Sequence, residues 1–431
     1  MLRVLLFVCL GFALNVCAQS PPSISVQLGY DQAIGLAAKW IVEKQFGPAR
    51  QMLEGLEKAY PDDPQILFLQ AQLAFAEGDY DRAVALYRRM LSRDPALLRV
   101  RLELARALFA ARDFEAARYH FEIALGQTLD EQVRQNIHAF LRAIQRTTWL
   151  TFSATFGPDS NPNFATETET VNILGTTFVL NPDARARRSF GAVINAQGRY
   201  AFGEDNRYFV SGALEYRDYE DSFADFHALE LTVGRSLVVD QTLWTGDVGP
   251  LYASYQDKEL YHGAMARLTH SRPFGERLLS NSYLSFKRLE YPDFEHLTAD
   301  QAWVGTTLRY ALDPTSGVWG SMSWGRNGAN QAPYSYRALE GTLGYVKELP
   351  AQFNVQVQLS ANRYVFDAPV PPFGEDRRDR LVRLDLVITA RDWSFHGFAP
   401  RLSLSTARNH SSISFFSYTR RFAGVGVTRE F

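Results

Sequence analysis

From about residue 147 to residue 431 the chain consists of short segments in which apolar and polar residues alternate. One such segment places five apolar residues on one phase: Phe353, Val355, Val357, Leu359 and Ala361. The intervening residues, from Asn354 to Asn362, are polar or small. Period-two alternation predicts a β-strand with two unlike faces. The apolar face would meet the core of a soluble sandwich or the lipid around a membrane barrel.

Three further features favour the membrane barrel. Segments such as 242–257 and 352–366 run to about 15 residues, whereas soluble strands average about five or six and a tilted bilayer crossing needs about 9–11. An even number of antiparallel strands is predicted, 14 in all, near residues 148–157, 188–202, 206–219, 225–239, 242–257, 259–272, 277–291, 300–312, 316–326, 336–349, 352–366, 380–391, 399–410 and 415–431. The chain ends on an aromatic residue, Phe431, after alternating Val425 and Val427, which resembles the signal read by the barrel-insertion machinery.

The connections between these strands predict the orientation. Those on one side are mostly tight turns such as GEDN, DQ and PFGE, whereas those on the other side are longer, as in PDFEHLTAD and DAPVPPFGEDRRD. Outer-membrane barrels have short turns in the periplasm and long loops outside. Residues 158–187 are predicted to form a long first loop that folds into or over the barrel, although VNILGTTFVLN within it also suits a strand.

Residues 30–146 read instead as helices with a repeat of 34 residues. Four sets of equivalent residues are separated by this interval: Ala37, Ala71 and Ala105; Phe46, Tyr80 and Phe114; Ala49, Ala83 and Ala117; Leu53, Tyr87 and Phe121. Small residues at two fixed positions let paired helices pack closely, as in tetratricopeptide repeats. The sequence therefore predicts three repeats and a capping helix, with an irregular helical bundle as the alternative.

The amino terminus predicts export. Arg3 precedes an apolar run from Val4 to Val16 that is too short to span a bilayer, and Ala18 suits cleavage. We expect residues 1–18 to be a signal peptide and residues 19–29 a short linker; lipidation at Cys17 is the alternative. Cys9 and Cys17 both lie in the signal, so the exported chain is expected to carry no cysteine.

Composition narrows the function classes. The formal net charge of −2 argues against a general nucleic-acid binder. The aromatic content of 13% suits a barrel girdled with aromatic side chains at both bilayer interfaces. The fold class predicted is an α+β multidomain chain, an all-α tetratricopeptide-repeat solenoid at residues 30–146 followed by a 14-stranded antiparallel transmembrane β-barrel at residues 147–431 of the outer membrane.

Four stretches together resemble the surface lipoprotein assembly modulator (Slam) family: WLTFSATFGPDSNPN, FVLNPDARARRSFG, RYVFDAPVPPFGEDRRDRLVRLDL and GFAPRLSLSTARNHSSISFFSYTRRFAGVGVTREF. The resemblance implies a translocon that delivers a client, either a surface lipoprotein or a small secreted haem- or metal-acquisition protein, from periplasm to cell surface. It implies the client, a periplasmic chaperone, the barrel-insertion machinery and the lipid bilayer as partners. No cofactor, metal or nucleic acid is expected.

Two sets of residues are candidates for this role. A client-binding groove on the first helix of each repeat is predicted from Ile34, Ile41, Phe68, Gln72, Phe75, Arg99, Leu102, Arg106 and Phe109; several of these equally suit the inter-helix core. Charged residues on the polar phase of the strands are predicted to line the lumen: Arg199, Glu215, Arg217, Arg309, Glu340, Arg383 and Asp385. They would tune the field along a moving chain or simply solvate and cross-link the wall.

Other functions remain open at this point. Polysaccharide exporters also join periplasmic repeats to a barrel, and a diffusion pore needs only the barrel. An outer-membrane enzyme would depend on His410 and Ser412, which lie where a surface loop is predicted, without a convincing acidic partner. The sequence therefore predicts that the chain is not an enzyme and has no catalytic residues.

Overall fold

The computed structural model describes residues 28–125, 129–145, 147–239, 242–274, 278–313, 315–349 and 353–429. The predicted signal peptide with Cys9 and Cys17, most of the predicted linker and the terminal Phe431 lie outside these residues. A helical domain is followed by a closed antiparallel barrel of 14 strands, which confirms the fold class predicted from the sequence.

The helical domain contains seven described helices: α1 Tyr30–Val42, α2 Phe46–Ala59, α3 Pro64–Glu77, α4 Tyr80–Arg93, α5 Leu98–Ala110, α6 Phe114–Ala124 and α7 Glu131–Gln145. The repeat explains how they pack. All six repeat alanines, Ala37, Ala49, Ala71, Ala83, Ala105 and Ala117, have 0% exposure. The large residue on the second helix of each repeat, Leu53, Tyr87 or Phe121, is 1% exposed. The alanines therefore let the neighbouring helix approach closely, and the large side chains fill the space beside it.

Repeated polar residues set the start of the second helices. Asp79 and Asp113, 34 residues apart (113 − 79), cap α4 and α6, and each side chain accepts a hydrogen bond from the backbone three residues further on, at Arg82 and Ala116. Such caps satisfy donors that the first turn leaves unpaired. Gly78, with φ +83°, ends α3 in a left-handed conformation that glycine adopts without strain.

The barrel contains β1 Trp149–Asp159, β4 Ser189–Phe202, β5 Tyr208–Tyr219, β6 Phe226–Val239, β7 Thr242–Tyr255, β8 Lys258–Phe274, β9 Leu278–Glu290, β10 Ala299–Asp313, β11 Ser316–Ala329, β12 Tyr336–Leu349, β13 Phe353–Val370, β14 Glu375–Ala390, β15 Ala399–Ser411 and β16 Tyr418–Thr428. Each strand pairs antiparallel with the next, and β1 pairs with both β4 and β16 to close the wall. We call the end that carries the β6–β7, β10–β11 and β12–β13 turns the turn end, and the opposite end the loop end.

The first long loop is not a strand of the wall. Residues Thr170–Ile173 (β2) and Thr176–Val179 (β3) form a separate two-stranded hairpin, paired only with each other. The alternation in VNILGTTFVLN therefore makes a local hairpin, and the even strand count holds. The prediction of a long loop between residues 366 and 380 was wrong. Strand β13 extends to Val370 and β14 begins at Glu375, and the two strands remain paired beyond a register shift between Val365 and Pro369.

The outward face of the wall is apolar and ringed by aromatic side chains. One ring lies towards the turn end and comprises Tyr200, Phe202, Tyr208, Trp244, Phe274, Tyr310 and Tyr345, all of them exposed. Another lies towards the loop end and comprises Phe156, Phe190, Tyr252, Phe286 and Trp324. Paired aromatic girdles around an apolar band are typical of outer-membrane barrels. None of the described helices is long and apolar enough to cross a bilayer.

Glycines allow the wall to close between its first and last strands. A Cβ at Gly426 of β16 would lie 1.8 Å from the carbonyl oxygen of Ala154 on β1, and one at Gly157 of β1 would lie 2.0 Å from the carbonyl oxygen of Ala423. The pairing between these strands joins Ser153–Asp159 to residues 422–428. Glycine is therefore required there by close backbone approach rather than by a turn.

Candidate functional site: the repeat surface and the turn end of the barrel

Four of the predicted groove residues form two matching pairs on α3 and α5. The guanidinium carbon of Arg99 lies 4.9 Å from the ring centroid of Phe68, and that of Arg106 lies 5.6 Å from the ring centroid of Phe75. Both arginines are exposed and both phenylalanines are half-buried. The two phenylalanines are seven residues apart on α3 (75 − 68) and the two arginines are seven residues apart on α5 (106 − 99), so the two pairs are separated by about 10 Å along the helices. We call this surface, with Gln72 and Leu102 between the pairs, the Arg–Phe surface.

The other predicted groove residues are taken up by packing. Ile41 is buried in the core of the first helix pair, and Ile34 packs against the same core. The ring of Phe109 lies 5.5 Å from that of Phe114 and 5.1 Å from that of Phe140 on the capping helix. The structure therefore gathers the available part of the predicted groove on α3 and α5 alone.

All seven predicted lumen residues lie on the inward face of the wall. Arg199, Arg309 and Glu340 line a cavity of 880 Å³. Glu215, Arg217, Arg383 and Asp385 line a second cavity of 390 Å³.

Many lumen charges are neutralised by neighbours. Arg217 pairs with Glu215 at 2.5 Å, and Arg383 pairs with Asp385 at 2.9 Å. A further network was not predicted: Arg267 of β8 reaches Asp247 of β7 at 2.8 Å and Glu230 of β6 at 3.3 Å. The first two pairs each lie within one strand, whereas Arg267 connects β8 with β7 and β6. The wall therefore presents mixed charge rather than a field of one sign.

The turn end is covered by the third helix pair, which consists of α5 and α6. Ala311 and Ala399, at strand ends of the barrel, are buried in the same apolar cluster as Leu104, Leu108 and Phe121 of the repeats. Ile123 of α6 packs above Gly317 of β11, where an added Cβ would lie 3.6 Å from Ile123 Cδ1. Residues of α6 and of the inner wall together enclose a cavity of 400 Å³. The apolar core of the helical domain thus continues onto the rim of the barrel.

A buried ion pair joins the two domains at this rim. Arg101 of α5 and Glu348 of β12 lie 2.7 Å apart, and their side chains are 0% and 1% exposed. Arg101 also donates to the carbonyl oxygen of Pro95 at 2.7 Å. The Glu348 oxygen that receives Arg101 also accepts from the Tyr119 hydroxyl at 3.3 Å, whereas its other oxygen, Oε1, is buried without a hydrogen-bond partner among the described residues. We call the Arg101–Glu348 pair the latch.

Two aromatic neighbours of the latch have shifted pKa values. Burial and the nearby Glu348 carboxylate raise the pKa of Tyr119 to about 12. Burial, followed by the Arg101 charge, holds the pKa of His120 well below its usual value. Arg101 Nη1 lies 3.1 Å from His120 Nδ1, and since a guanidinium only donates, Nδ1 must accept and the imidazole is neutral. Asn354 of β13 donates to the Tyr119 hydroxyl at 3.0 Å, and the guanidinium of Arg391 lies 3.9 Å from the Tyr119 ring centroid.

The loop end is closed by other means. The first long loop enters the barrel at Asp159, whose side chain is 0% exposed and pairs with Arg420 at 2.6 Å. Asn161 donates to the carbonyl oxygens of Ala165 and Thr419. Phe164 then lies against Arg420, 4.5 Å from the guanidinium carbon. The loop is thus fixed to β16 at the inner edge of the opening.

The residues of the enzyme alternative do not form a catalytic pair. The Ser412 hydroxyl donates to the carbonyl oxygen of Asp376 at 2.7 Å and accepts from the backbone N–H of Arg378 at 2.9 Å. Its only proton is therefore held by a main-chain carbonyl. His410 is exposed and pairs across the sheet with Arg380. No group of three or more His, Cys, Asp or Glu suited to a metal occurs among the described residues.

Comparison with known proteins identifies the family. A model described as "Surface lipoprotein assembly modifier" matches residues 205–431, and a model of that family's N-terminal tetratricopeptide repeats matches residues 44–121. The chain belongs to the surface lipoprotein assembly modifier family. The family predicted from the sequence is confirmed, and with it the outer-membrane location; the family is not a known class of enzyme. The turn end and the repeats accordingly lie in the periplasm.

Relatives of the chain carry the same family name. Surface lipoprotein assembly modifier 2 of Haemophilus influenzae is 23% identical over 391 residues, which cover 86% of this chain and 79% of that protein. Surface lipoprotein assembly modifier 1 of the same organism is 23% identical over 405 residues, covering 89% and 82%. Surface lipoprotein assembly modifier 1 of Neisseria meningitidis is 32% identical over 95 residues, covering 22% of this chain and 20% of that protein.

Two solved outer-membrane proteins resemble the barrel at a distance. A bacterial polysaccharide outer membrane secretin is 9% identical with a TM-score of 0.36, covering 66% of this chain and 99% of that one. The outer membrane channel DcaP of Acinetobacter baumannii is 8% identical with a TM-score of 0.37, covering 65% and 97%. Likeness at this level carries no functional argument.

Sequence reasoning missed the latch. Arg101 and Glu348 are separated by 247 residues, and each lies in a segment where a charged residue is unremarkable. The sequence gives one weak indication for Glu348. This residue lies on the inward face of β12 directly before the turn, where no basic residue of the same strand is placed to pair with it. Nothing in the sequence of α5 distinguishes Arg101 from the two other arginines of that helix, Arg99 and Arg106.

Proposed function

We propose that this chain is an outer-membrane translocon that delivers specific client proteins, surface lipoproteins or small secreted haem- or metal-acquisition proteins, from the periplasm to the cell surface. One observation carries the proposal: α5, which supplies both arginines of the exposed Arg–Phe surface, belongs to the helix pair that covers the periplasmic mouth of the barrel. A client held on α3 and α5 would be positioned beside the entrance to the lumen. The relatives' names, which refer to assembly of surface lipoproteins, support the same role.

The Arg–Phe surface suits an extended client segment that carries apolar side chains and, about three residues apart, acidic ones. Each arginine offers a cation that is exposed beside a half-buried aromatic ring. The interval of about 10 Å between the pairs corresponds to about three residues of extended chain. Glu103 pairs with Arg106 at 2.9 Å, so an acidic client side chain would exchange with Glu103 there and bind Arg99 directly.

The broad test compares surface-exposed lipoproteins in a deletion strain and its complemented parent. Intact cells are treated with proteinase K, and the released peptides are identified by mass spectrometry. We expect one or a few lipoproteins to disappear from the surface of the deletion strain while remaining lipidated and abundant in its cell envelopes. An identical surface set in both strains would exclude the delivery of surface lipoproteins, and loss of exopolysaccharide instead would favour an exporter.

The narrow test concerns the Arg–Phe surface. Replacing Arg99 and Arg106 together by Gln should lower surface delivery at least tenfold, because both cations are lost while the rings remain. The matched control replaces Arg82 and Arg112, two exposed arginines away from this surface, and should leave delivery unchanged. Equal delivery by the two double variants would remove this surface from the proposal.

The proposal includes two finer points. A periplasmic chaperone would hand over the client unfolded, because an extended segment on the Arg–Phe surface is incompatible with a folded domain. The barrel-insertion machinery would act on this chain only during its own assembly. We also infer that the chain is no enzyme, since the Ser412 proton is engaged by the main chain.

A further inference from the structure

The cover over the periplasmic mouth has the construction of a gate. Its apolar part rests largely on small residues of the wall: Ala311 and Ala399 are buried in the shared cluster, and Ile123 of α6 lies over Gly317. Its polar part is concentrated at the latch and at Tyr119, which accepts from Asn354 and lies beneath Arg391. The cavity of 400 Å³ behind α6 shows that the helix covers the opening without filling it.

The latch is incompletely satisfied. Glu348 Oε1 and Arg101 Nε are buried without hydrogen-bond partners among the described residues. Burying an ion pair costs desolvation that the mutual attraction repays only when the remaining atoms are also bonded. The pair therefore specifies the closed position without holding it strongly, because water would satisfy both groups once the helices moved away.

The latch and the Arg–Phe surface share one helix. Arg99 and Arg101 are two residues apart on α5 and so point to opposite sides, about 200° apart around the helix axis. Arg99 lies over Phe68 of α3, while Arg101 contacts Glu348 of the barrel. A ligand that draws Arg99 and Arg106 towards α3 must displace α5, and with it Arg101, relative to the rim.

We propose that the third helix pair is a gate that closes the periplasmic mouth in the resting protein and that a segment bound on the Arg–Phe surface releases it by displacing α5. The barrel would thus stay sealed until a client is present. The biological purpose of the gate rests on the proposed translocon function. Whether the mouth is closed does not depend on that function and can be measured on the protein without a client. Gating by rigid-body movement of packed helices is a common form of conformational switch.

The first experiment measures conductance of the full chain in planar bilayers of diphytanoyl phosphatidylcholine. The unmodified protein should be closed for most of the recording. Glu348→Gln and Arg101→Gln should each raise the open probability at least tenfold, because the partner charge is left buried and favours the released state. The charge exchange, Arg101→Glu with Glu348→Arg, should return the protein towards the closed state. Glu77→Gln, which removes an ion pair within the repeats, is the matched control and should not change conductance.

Equal conductance of the unmodified protein and both single variants would overturn the gate, as would a charge exchange no more closed than the single variants. Folding of each variant is checked by heat-modifiable migration on gels. Where a latch variant does not fold, the cross-link below is tested on the chain with its latch unchanged, whose residual openings should disappear on cross-linking and return on reduction.

The second experiment locks the cover. Cysteines at Ile123 and Gly317 lie close enough for a short methanethiosulfonate cross-linker, and both natural cysteines fall within the predicted signal peptide. Cross-linked protein should stay closed even with Glu348→Gln, and a reductant should restore the conductance of that variant. Failure to cross-link the closed protein, or steady conductance through the locked protein, would refute the gate. Unchanged client delivery in the deletion strain, with gating as expected, would refute only the translocon function.

Discussion

The two ends of the barrel are each closed around a buried carboxylate, but the two carboxylates are bonded differently. At the loop end both oxygens of Asp159 are used: they accept from Arg420, from the Tyr219 hydroxyl at 2.9 Å and from the backbone of Asn161 at 3.0 Å. At the turn end Glu348 uses one oxygen for Arg101 and Tyr119, and the other has no partner among the described residues.

This difference separates a fixed closure from a releasable one. A buried ion pair with all its atoms bonded gains its full attraction, whereas an incomplete pair leaves part of the desolvation cost unrecovered. The loop end is also tied by main-chain hydrogen bonds within a few residues of β1 and β16. The turn end is covered by a separate domain. We therefore expect the loop end to resist perturbations that open the turn end.

The largest loss of folded protein should come from a change in the barrel wall, at the pairing between β1 and β16. Gly426→Ala places a methyl group 1.8 Å from the backbone oxygen of Ala154, and since the obstacle is main chain, the cost should exceed the about 1–3 kcal/mol usual for overpacking. Folded, heat-modifiable barrel should be largely lost. Gly246→Ala is the control, because no heavy atom lies within 4 Å of its added Cβ. Equal yields of folded barrel from the two variants would contradict the close approach at the β1–β16 seam.

The next effect tests the fixed closure. Asp159→Ala leaves Arg420 buried without its partner and should lower the free energy of unfolding by about 3–5 kcal/mol, measured by urea titration in detergent or lipid. Asp183→Ala in the same loop removes an exposed pair with Arg187 and should cost less than about 1 kcal/mol. If both variants lose the same free energy of unfolding, the buried Asp159–Arg420 pair stabilises the loop end no more than the exposed Asp183–Arg187 pair does.

A smaller effect should come from pH at the turn end. The pKa of His120 is lowered in the docked state, so closure is fully present above the unperturbed value of about 6.5 and weakens as pH falls below it, by about tenfold per unit. The neighbouring charges of Arg101, Arg391 and Arg88 act in the same direction. Open probability in bilayers should therefore rise about fivefold from pH 6.5 to pH 5.5, because about half of the released His120 is already protonated at pH 6.5 and the limiting tenfold per unit is reached only at lower pH.

The origin of that pH effect can be assigned by two variants. His120→Gln should abolish most of it. His138→Gln, which removes a histidine of α7 whose pKa is also lowered by burial, should leave it in place. A pH response that survives in the His120 variant would place the titrating group elsewhere.

The smallest effect is expected from Ser412→Ala at the loop end. The change removes the hydrogen bonds of the hydroxyl with the Asp376 carbonyl and the Arg378 N–H, each worth about 1 kcal/mol, and should leave surface delivery of lipoproteins unchanged. Loss of a lipid- or peptide-modifying activity in this variant would revive the enzyme alternative.

Most of the fold could be predicted because its physical signals are periodic. A 34-residue interval of buried alanines predicts stacked helix pairs, and alternation predicts which residues face the lumen. The lumen pair Glu215 and Arg217 could even have been inferred, since two residues apart on a strand share one face. Strand ends were less predictable. Asp376 and Arg378 are charged residues of a kind common in loops, but they belong to β14, which begins at Glu375 rather than at the predicted residue 380.

The closures at the two ends could not be predicted for a different reason. The partners of Asp159 and Glu348 lie 261 and 247 residues away, and no local pattern shows which distant arginine will meet which acid. Burial of a charge is a property of the assembled structure rather than of its neighbours in sequence. For the same reason Ile41 and Phe109 could not be assigned to the groove or to the core before the helices were placed.

The identical alanines in every helix pair have a consequence for how such chains can vary. Each pair stacks on the next through the same small residues, and the apolar and ionic contacts described at the rim come from the pair nearest the barrel. Units of 34 residues could therefore be gained or lost at the far end of the stack, lengthening or shortening its reach into the periplasm, while the fit to the membrane-embedded part stays the same.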